Sequence, residues 1–188
     1  MTALERDLQG TNLYLIGMMG AGNSTVARRL AQQLHYHCFD TDTLITQATG
    51  CAIPQIFAES GEAGFRDIET QTLSQISAHT RLVVATGGGI VTQPINWSHL
   101  HHGIVVWLDA SLQTLWQRLK EDNSRPLLQD PNPQQKLEDL LVQRRPLYAQ
   151  ADLRVGIESH HDVGNVVDQI LTELPKVLKT GRLHQPPS

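Results

Sequence analysis

The stretch Gly17-Met18-Met19-Gly20-Ala21-Gly22-Asn23-Ser24-Thr25 constrains this chain more than any other. It follows a short apolar run, Asn12–Gly17 (NLYLIG), and leads into Ser24–Leu34, where Val26, Leu30, Ala31 and Leu34 recur at helical spacing. Strand, glycine turn and amphipathic helix in that order make a cradle. The glycines let the backbone curl with its N–H groups inward, and the helix presents the positive end of its dipole. Such a cradle suits a polyphosphate. The stretch fits the pattern G-x-x-x-x-G-K-[ST] at every fixed position but one, where Asn23 stands in for the lysine. Ser24 falls where a magnesium ligand belongs in that pattern. Asparagine at position 23 can donate a hydrogen bond to a phosphate but brings no charge.

Beyond the loop, apolar runs alternate with amphipathic ones. His37–Asp40, Leu82–Thr86, Ile104–Leu108 and Leu153–Ile157 read as further strands, each apolar on both faces. Thr43–Thr49, Pro54–Ser60, Glu62–His79, Leu112–Lys120, Lys136–Tyr148 and Val163–Leu178 read as helices, with Gly50 and Gly61 as punctuation. The alternation predicts an α/β fold with a parallel sheet wrapped by helices. A length of 188 residues suits one domain with a core of its own. Its core is expected to span about residues 12–178, with 1–11 and 180–188 flexible. Asp122–Pro133 is too polar and proline-rich to be core.

The net charge of −4 offers no basic field for nucleic acid. No apolar run approaches the roughly 18 residues of a membrane span, and Met1–Thr11 has no apolar signal core. Cys38 and Cys51 cannot build a disulfide framework, so a reducing, cytoplasmic compartment is expected. His99, His101, His102, His160 and His161 lack metal-ligand spacing and are expected to be solvated.

Several further motifs follow in a fixed order: Asp40-Thr41-Asp42, Gly64-Phe65-Arg66-Asp67-Ile68-Glu69, Thr86-Gly87-Gly88-Gly89, Arg125-Pro126-Leu127-Leu128 and Arg144-Arg145-Pro146-Leu147-Tyr148. With the glycine loop, over roughly residues 12–175, they resemble the shikimate kinase family. The departures are Asn23 and, to a lesser degree, Ala27, where relatives often carry glycine. The resemblance implies a three-layer P-loop kinase fold: five parallel strands in the order 2-3-1-4-5, flanked by helices, with a lid in the polar segment. It implies phosphorylation of the shikimate 3-hydroxyl by ATP, giving shikimate 3-phosphate and ADP for aromatic amino acid biosynthesis, with Mg²⁺ as cofactor. The implied partners are shikimate and ATP, with no nucleic acid and no membrane, and the chain is expected to be a monomer.

Residue by residue, the resemblance puts Gly20, Ala21, Gly22, Asn23, Ser24 and Thr25 on ATP and Ser24 on the metal, with Asp40 near it through water. It makes Asp42 the carboxylate that binds the reacting hydroxyl and takes its proton. It makes Arg66 and Arg144 the clamps on the shikimate carboxylate, puts the Gly88 N–H on shikimate, and gives Arg125 of the lid to the phosphates as a catalytic group. Taken alone, Arg66 and Arg144 would read as surface arginines paired with residues such as Glu69 and Glu138. Planar guanidinium forks nevertheless suit a carboxylate. Arg145 is adjacent to Arg144 and could share its role. Adenine is expected near the fifth strand. Two other readings stand beside this one. A related kinase could act on gluconate or a nucleoside monophosphate, and a relative impaired by Asn23 could bind or regulate rather than catalyse.

Overall fold

A computed structural model of the chain describes residues 3–120, 130–158 and 162–179. In order they form α1 (Ala3–Leu8), β1 (Leu13–Gly17), α2 (Asn23–Leu34), β2 (His37–Asp40), α3 (Thr41–Thr49), α4 (Ile53–Ser77), β3 (Leu82–Ala85) and a 3₁₀ turn (Ile90–Thr92). Then come α5 (Pro94–Leu100), β4 (Ile104–Ala110), α6 (Leu112–Leu119), α7 (Pro133–Tyr148), β5 (Leu153–Ile157) and α8 (Val163–Lys179). The five strands pair in parallel in the order β2-β3-β1-β4-β5, the order that the motif resemblance implies.

The three central strands carry the core. Every residue of β1 and β3 is buried, as two helical layers on a parallel sheet require. The edges depart from the expected two-faced burial: β2 (HCFD) is largely exposed, and β5 alternates buried and exposed residues. An edge strand has one neighbour and incomplete helix cover, so its side chains need not all be apolar.

The N-terminal segment is more ordered than its sequence suggests. α1 packs on α8 and buries Leu8 and Glu5, and Gly10 O then accepts a hydrogen bond from the Arg81 N–H at 2.8 Å. Six residues are too few to show helical periodicity, which is why they escape a pattern reading. α4 is interrupted at Gly61 (φ 68°, ψ −177°), between the two helices expected there. α3 begins at Thr41 because the Asp40 side chain accepts hydrogen bonds from the backbone N–H groups of Asp42 and Thr43 at 3.0 and 3.2 Å, satisfying donors that the first turn leaves open.

Since all strands run in parallel, Gly17, Asp40, Ala85, Ala110 and Ile157 end on one edge of the sheet. Ligands of such sheets sit beyond those ends, where the strand order reverses around β1. Among the described residues no helix is long and apolar enough to cross a membrane, and no group of His, Cys, Asp or Glu is arranged to hold a metal by protein ligands alone.

Candidate active site

A cleft of about 350 Å³ lies over the glycine loop. Met18 to Val26, Asp40, Asp42, Thr86–Gly88, Arg118, Ile157 and the start of α8 line it. The loop turns on Gly20 and Gly22; Gly22 precedes α2 with φ 101°, a left-handed conformation that favours glycine. This brings Gly20, Ala21, Gly22, Asn23, Ser24 and Thr25 together along one wall, as the sequence motif predicts. The Ser24 hydroxyl donates to Asp40 Oδ2 at 2.5 Å, so Asp40 both caps α3 and faces the loop's serine.

Asn23, one of the residues lining the cleft, is tied down by its side chain. Its Nδ2 donates to the Thr86 carbonyl at 3.2 Å, tying α2 to the end of β3. Its Oδ1 is buried without a hydrogen-bond partner. Among the described residues lining the cleft, Arg118 is the one cation, beside the carboxylates Asp40, Asp42 and Asp162. Its Nη1 donates to Gly20 O and Ala21 O at 3.0 and 3.1 Å. Arg118 was missed in the sequence: a last-turn arginine on an eight-residue helix gives no sign of which way it faces. Ile157, Asp162 and Val163 place the far end of the cleft beside β5, where adenine is expected.

A second cavity opens from the first past Met19. Asp42, Ile53, Phe57, Phe65, Arg66, Glu69, Gly87–Gly89 and Arg144 line it. Arg66 and Arg144 are only 4% and 2% exposed, which removes the reading of solvated helix arginines. Arg66 Nη1 donates to Glu69 Oε2 at 2.7 Å and Nη2 to Glu62 Oε1 at 3.0 Å. Glu69 has no exposed surface. Burial pushes its carboxyl up to about 7, against the pull of Arg66, and the neighbouring charge of Asp42 adds to the rise. The sequence shows Glu69 one turn from Arg66 but not that the pair is buried.

On the two arginines that line this cavity, three buried donors have no partner within the chain: Arg66 Nε, Arg144 Nε and Arg144 Nη1. Buried guanidinium donors normally find an acceptor, and within the chain these have none. Arg145 does not share that role. It is half exposed and pairs with Asp109 at 3.1 Å, because successive helix residues point about 100° apart. Arg125, and with it most of the expected lid, lies outside the described residues.

The third glycine of the turn is explained by space. A Cβ on Gly89 would stand 2.1 Å from Arg66 Nη2 and 2.2 Å from its Cζ, so the guanidinium lies against bare backbone. Gly89→Ala is expected to displace Arg66 and weaken acceptor binding ~10-fold or more, the order of a lost charge-assisted hydrogen bond. Calorimetric titration of the variant checks it, and an unchanged affinity would show that the Arg66 geometry does not matter.

Comparison with known proteins agrees with this arrangement. A family model described as shikimate kinase matches residues 19–175. The shikimate kinase of Trichormus variabilis is 55% identical over 172 residues, 92% of this chain and 95% of that protein. A Synechococcus shikimate kinase is 57% identical over 164 residues, 87% of each chain. The structure of a shikimate kinase from Acinetobacter baumannii in complex with shikimate matches with a TM-score of 0.83 at 38% identity, covering 96% of this chain and 99% of that one.

Proposed function

The chain belongs to the shikimate kinase family, and from that premise we infer that it transfers the γ-phosphate of ATP to the 3-hydroxyl of shikimate, giving shikimate 3-phosphate and ADP. The observation that carries this reading is the set of three buried, unpartnered guanidinium donors on Arg66 and Arg144. They complement a carboxylate in a cavity whose remaining walls are apolar side chains, glycine backbone and the Asp42 and Glu69 carboxylates. Shikimate offers one carboxylate and three hydroxyls, which fits that pattern of charge and acceptors.

In this reading ATP lies in the cleft over Gly20–Thr25, its phosphates held by main-chain N–H groups and the α2 dipole. Arg66 and Arg144 hold the shikimate carboxylate, and the Gly88 N–H binds a hydroxyl. Asp42 accepts the hydrogen of the 3-hydroxyl, orients that oxygen toward the γ-phosphorus and takes its proton as the new O–P bond forms. Both cavities share Met19, Asp42, Gly87 and Gly88, so the hydroxyl and the phosphate meet there. Mg²⁺ fits the donor set beside the loop: the Ser24 hydroxyl and the Asp40 carboxylate are hard oxygen donors brought together. When bound, the ion offsets phosphate charge. Arg125 supplies a further cation from the lid. The protein acts as a monomer in the cytoplasm, a setting consistent with its two free cysteines.

Removal of a clamp tests the assignment. Arg144→Ala and Arg66→Ala are each expected to weaken shikimate binding by about 2–3 kcal/mol, the range for a hydrogen-bonded charged partner. The ATP affinity should stay within twofold. Arg144→Ala is the cleaner variant, because Arg66 also neutralises the buried Glu69. Calorimetric titration with shikimate decides it, and unchanged affinity in both variants would refute the clamp.

A further inference from the structure

Tyr148 closes the Arg144-Arg145-Pro146-Leu147-Tyr148 motif, and the mechanism above leaves it without a role. It is fully buried, at the last residue of α7 and one helical turn beyond Arg144. Its ring stacks on Trp107 of β4 with centroids 5.9 Å apart, so strand and helix together fix where its hydroxyl points. That hydroxyl donates to the Gly88 carbonyl at 2.6 Å and lies 3.6 Å from Met18 Sδ in the phosphate loop. The Arg144 guanidinium is the charge that faces the same hydroxyl.

Gly88 is held from the other side as well. A Cβ there would come 3.1 Å from the Met19 N, 3.3 Å from Gly17 O and 3.5 Å from the Tyr148 hydroxyl. The Gly88 backbone is therefore wedged between the phosphate loop and Tyr148. The Tyr148 hydroxyl thus stands between the Arg144 guanidinium, which faces it, and the Gly88 carbonyl, to which it donates.

We propose that Tyr148 is a positioning residue for the acceptor substrate. Its hydroxyl fixes the Arg144 guanidinium and the Gly88 backbone at a set separation, so that carboxylate and hydroxyl are gripped at once. The inference rests on the reading that Arg144 and Gly88 bind shikimate. The phenol has a task only as a neutral donor. Burial keeps it so by pushing its ionisation up to about 12, against the pull of the Arg144 charge, with Arg66 and Glu69 the next charges facing it. Removing the hydroxyl leaves the Gly88 carbonyl without its donor and Arg144 without its polar neighbour, while the ring and its stacking on Trp107 remain.

The test is Tyr148→Phe in the full chain, with initial rates and calorimetry for shikimate and for Mg-ATP. The expected result is a KM and Kd for shikimate raised ~5–20-fold, the scale of one or two lost hydrogen bonds, with the KM for ATP within twofold. A second arm makes the same change in an Arg144→Ala chain. There the further loss should fall below threefold, because the two residues act through one network. Equal losses for both substrates, additive losses in the double variant, or a Tyr148→Phe chain that fails to fold would overturn the proposal and leave Tyr148 a packing residue. A parent chain that does not bind shikimate would instead overturn the substrate reading, an outcome visible before any variant is made.

Discussion

Asn23→Lys is expected to raise kcat/KM for ATP by ~10²–10³-fold, since one preorganised electrostatic contact on a developing charge is typically worth about 2.7–4 kcal/mol. The physical deficit is plain in the cleft. Asn23 spends its Nδ2 on the Thr86 carbonyl, and the described lining carries three carboxylates against one arginine. Arg28 and Arg29 cannot substitute. At about 100° per residue they are turned roughly 140° and 240° around α2 from position 23, and both are exposed. A lysine at 23 adds a point charge on a flexible stem, long enough to pass Thr86 and meet the phosphates. Steady-state kinetics of the two chains, with ATP varied at saturating shikimate, measure the effect; the Kd for shikimate should hardly move. A lysine variant no faster than the parent would mean that Arg118, already seated on the loop carbonyls of Gly20 and Ala21, or Arg125 carries the charge that the loop lacks.

Asp42→Asn should lower kcat by ~10²–10⁴-fold, the range for a positioned acid–base group. Asp42 lies in the first turn of α3, held there by the Asp40 cap that accepts its backbone N–H at 3.0 Å. Its Oδ1 lies 3.0 Å from the point where a Cβ on Gly87 would stand, alongside Glu69 Oε1 at 2.8 Å. Two carboxylates therefore converge over a glycine that leaves them room, on the wall that both cavities share. The asparagine keeps the size and loses the base, so ATP affinity should be nearly intact. Single-turnover rates separate chemistry from binding, and a variant within twofold of the parent would remove Asp42 from the mechanism.

The sheet was legible in the sequence because parallel, doubly covered strands must be apolar throughout. Leu13–Ile16, Leu82–Ala85 and Ile104–Leu108 announce themselves as the buried centre. The loop was legible because a cradle made of main chain needs glycine at defined places. The site residues inside motifs, Asp42, Arg66, Gly88 and Arg144, lie together in one cavity. What stayed hidden depends on the third dimension. Arg118 reaches the loop across 98 positions of sequence, a contact no local pattern encodes. Arg144 and Arg145 look interchangeable in the sequence, yet one is buried and the other pairs with Asp109 on the surface. Whether a buried arginine donor is satisfied, the feature that points to an anionic substrate, depends on neighbours contributed by α4, α7 and the glycine turn after β3.

The most direct test of the account is the initial rate of ADP release at saturating Mg-ATP, with and without shikimate, followed to the identity of the phosphorylated product. A shikimate kinase with this site releases ADP in dependence on shikimate, matched one for one by shikimate 3-phosphate, slowly in the parent and faster in Asn23→Lys. ADP release that is the same with and without shikimate in both chains, or absent from both, would contradict it.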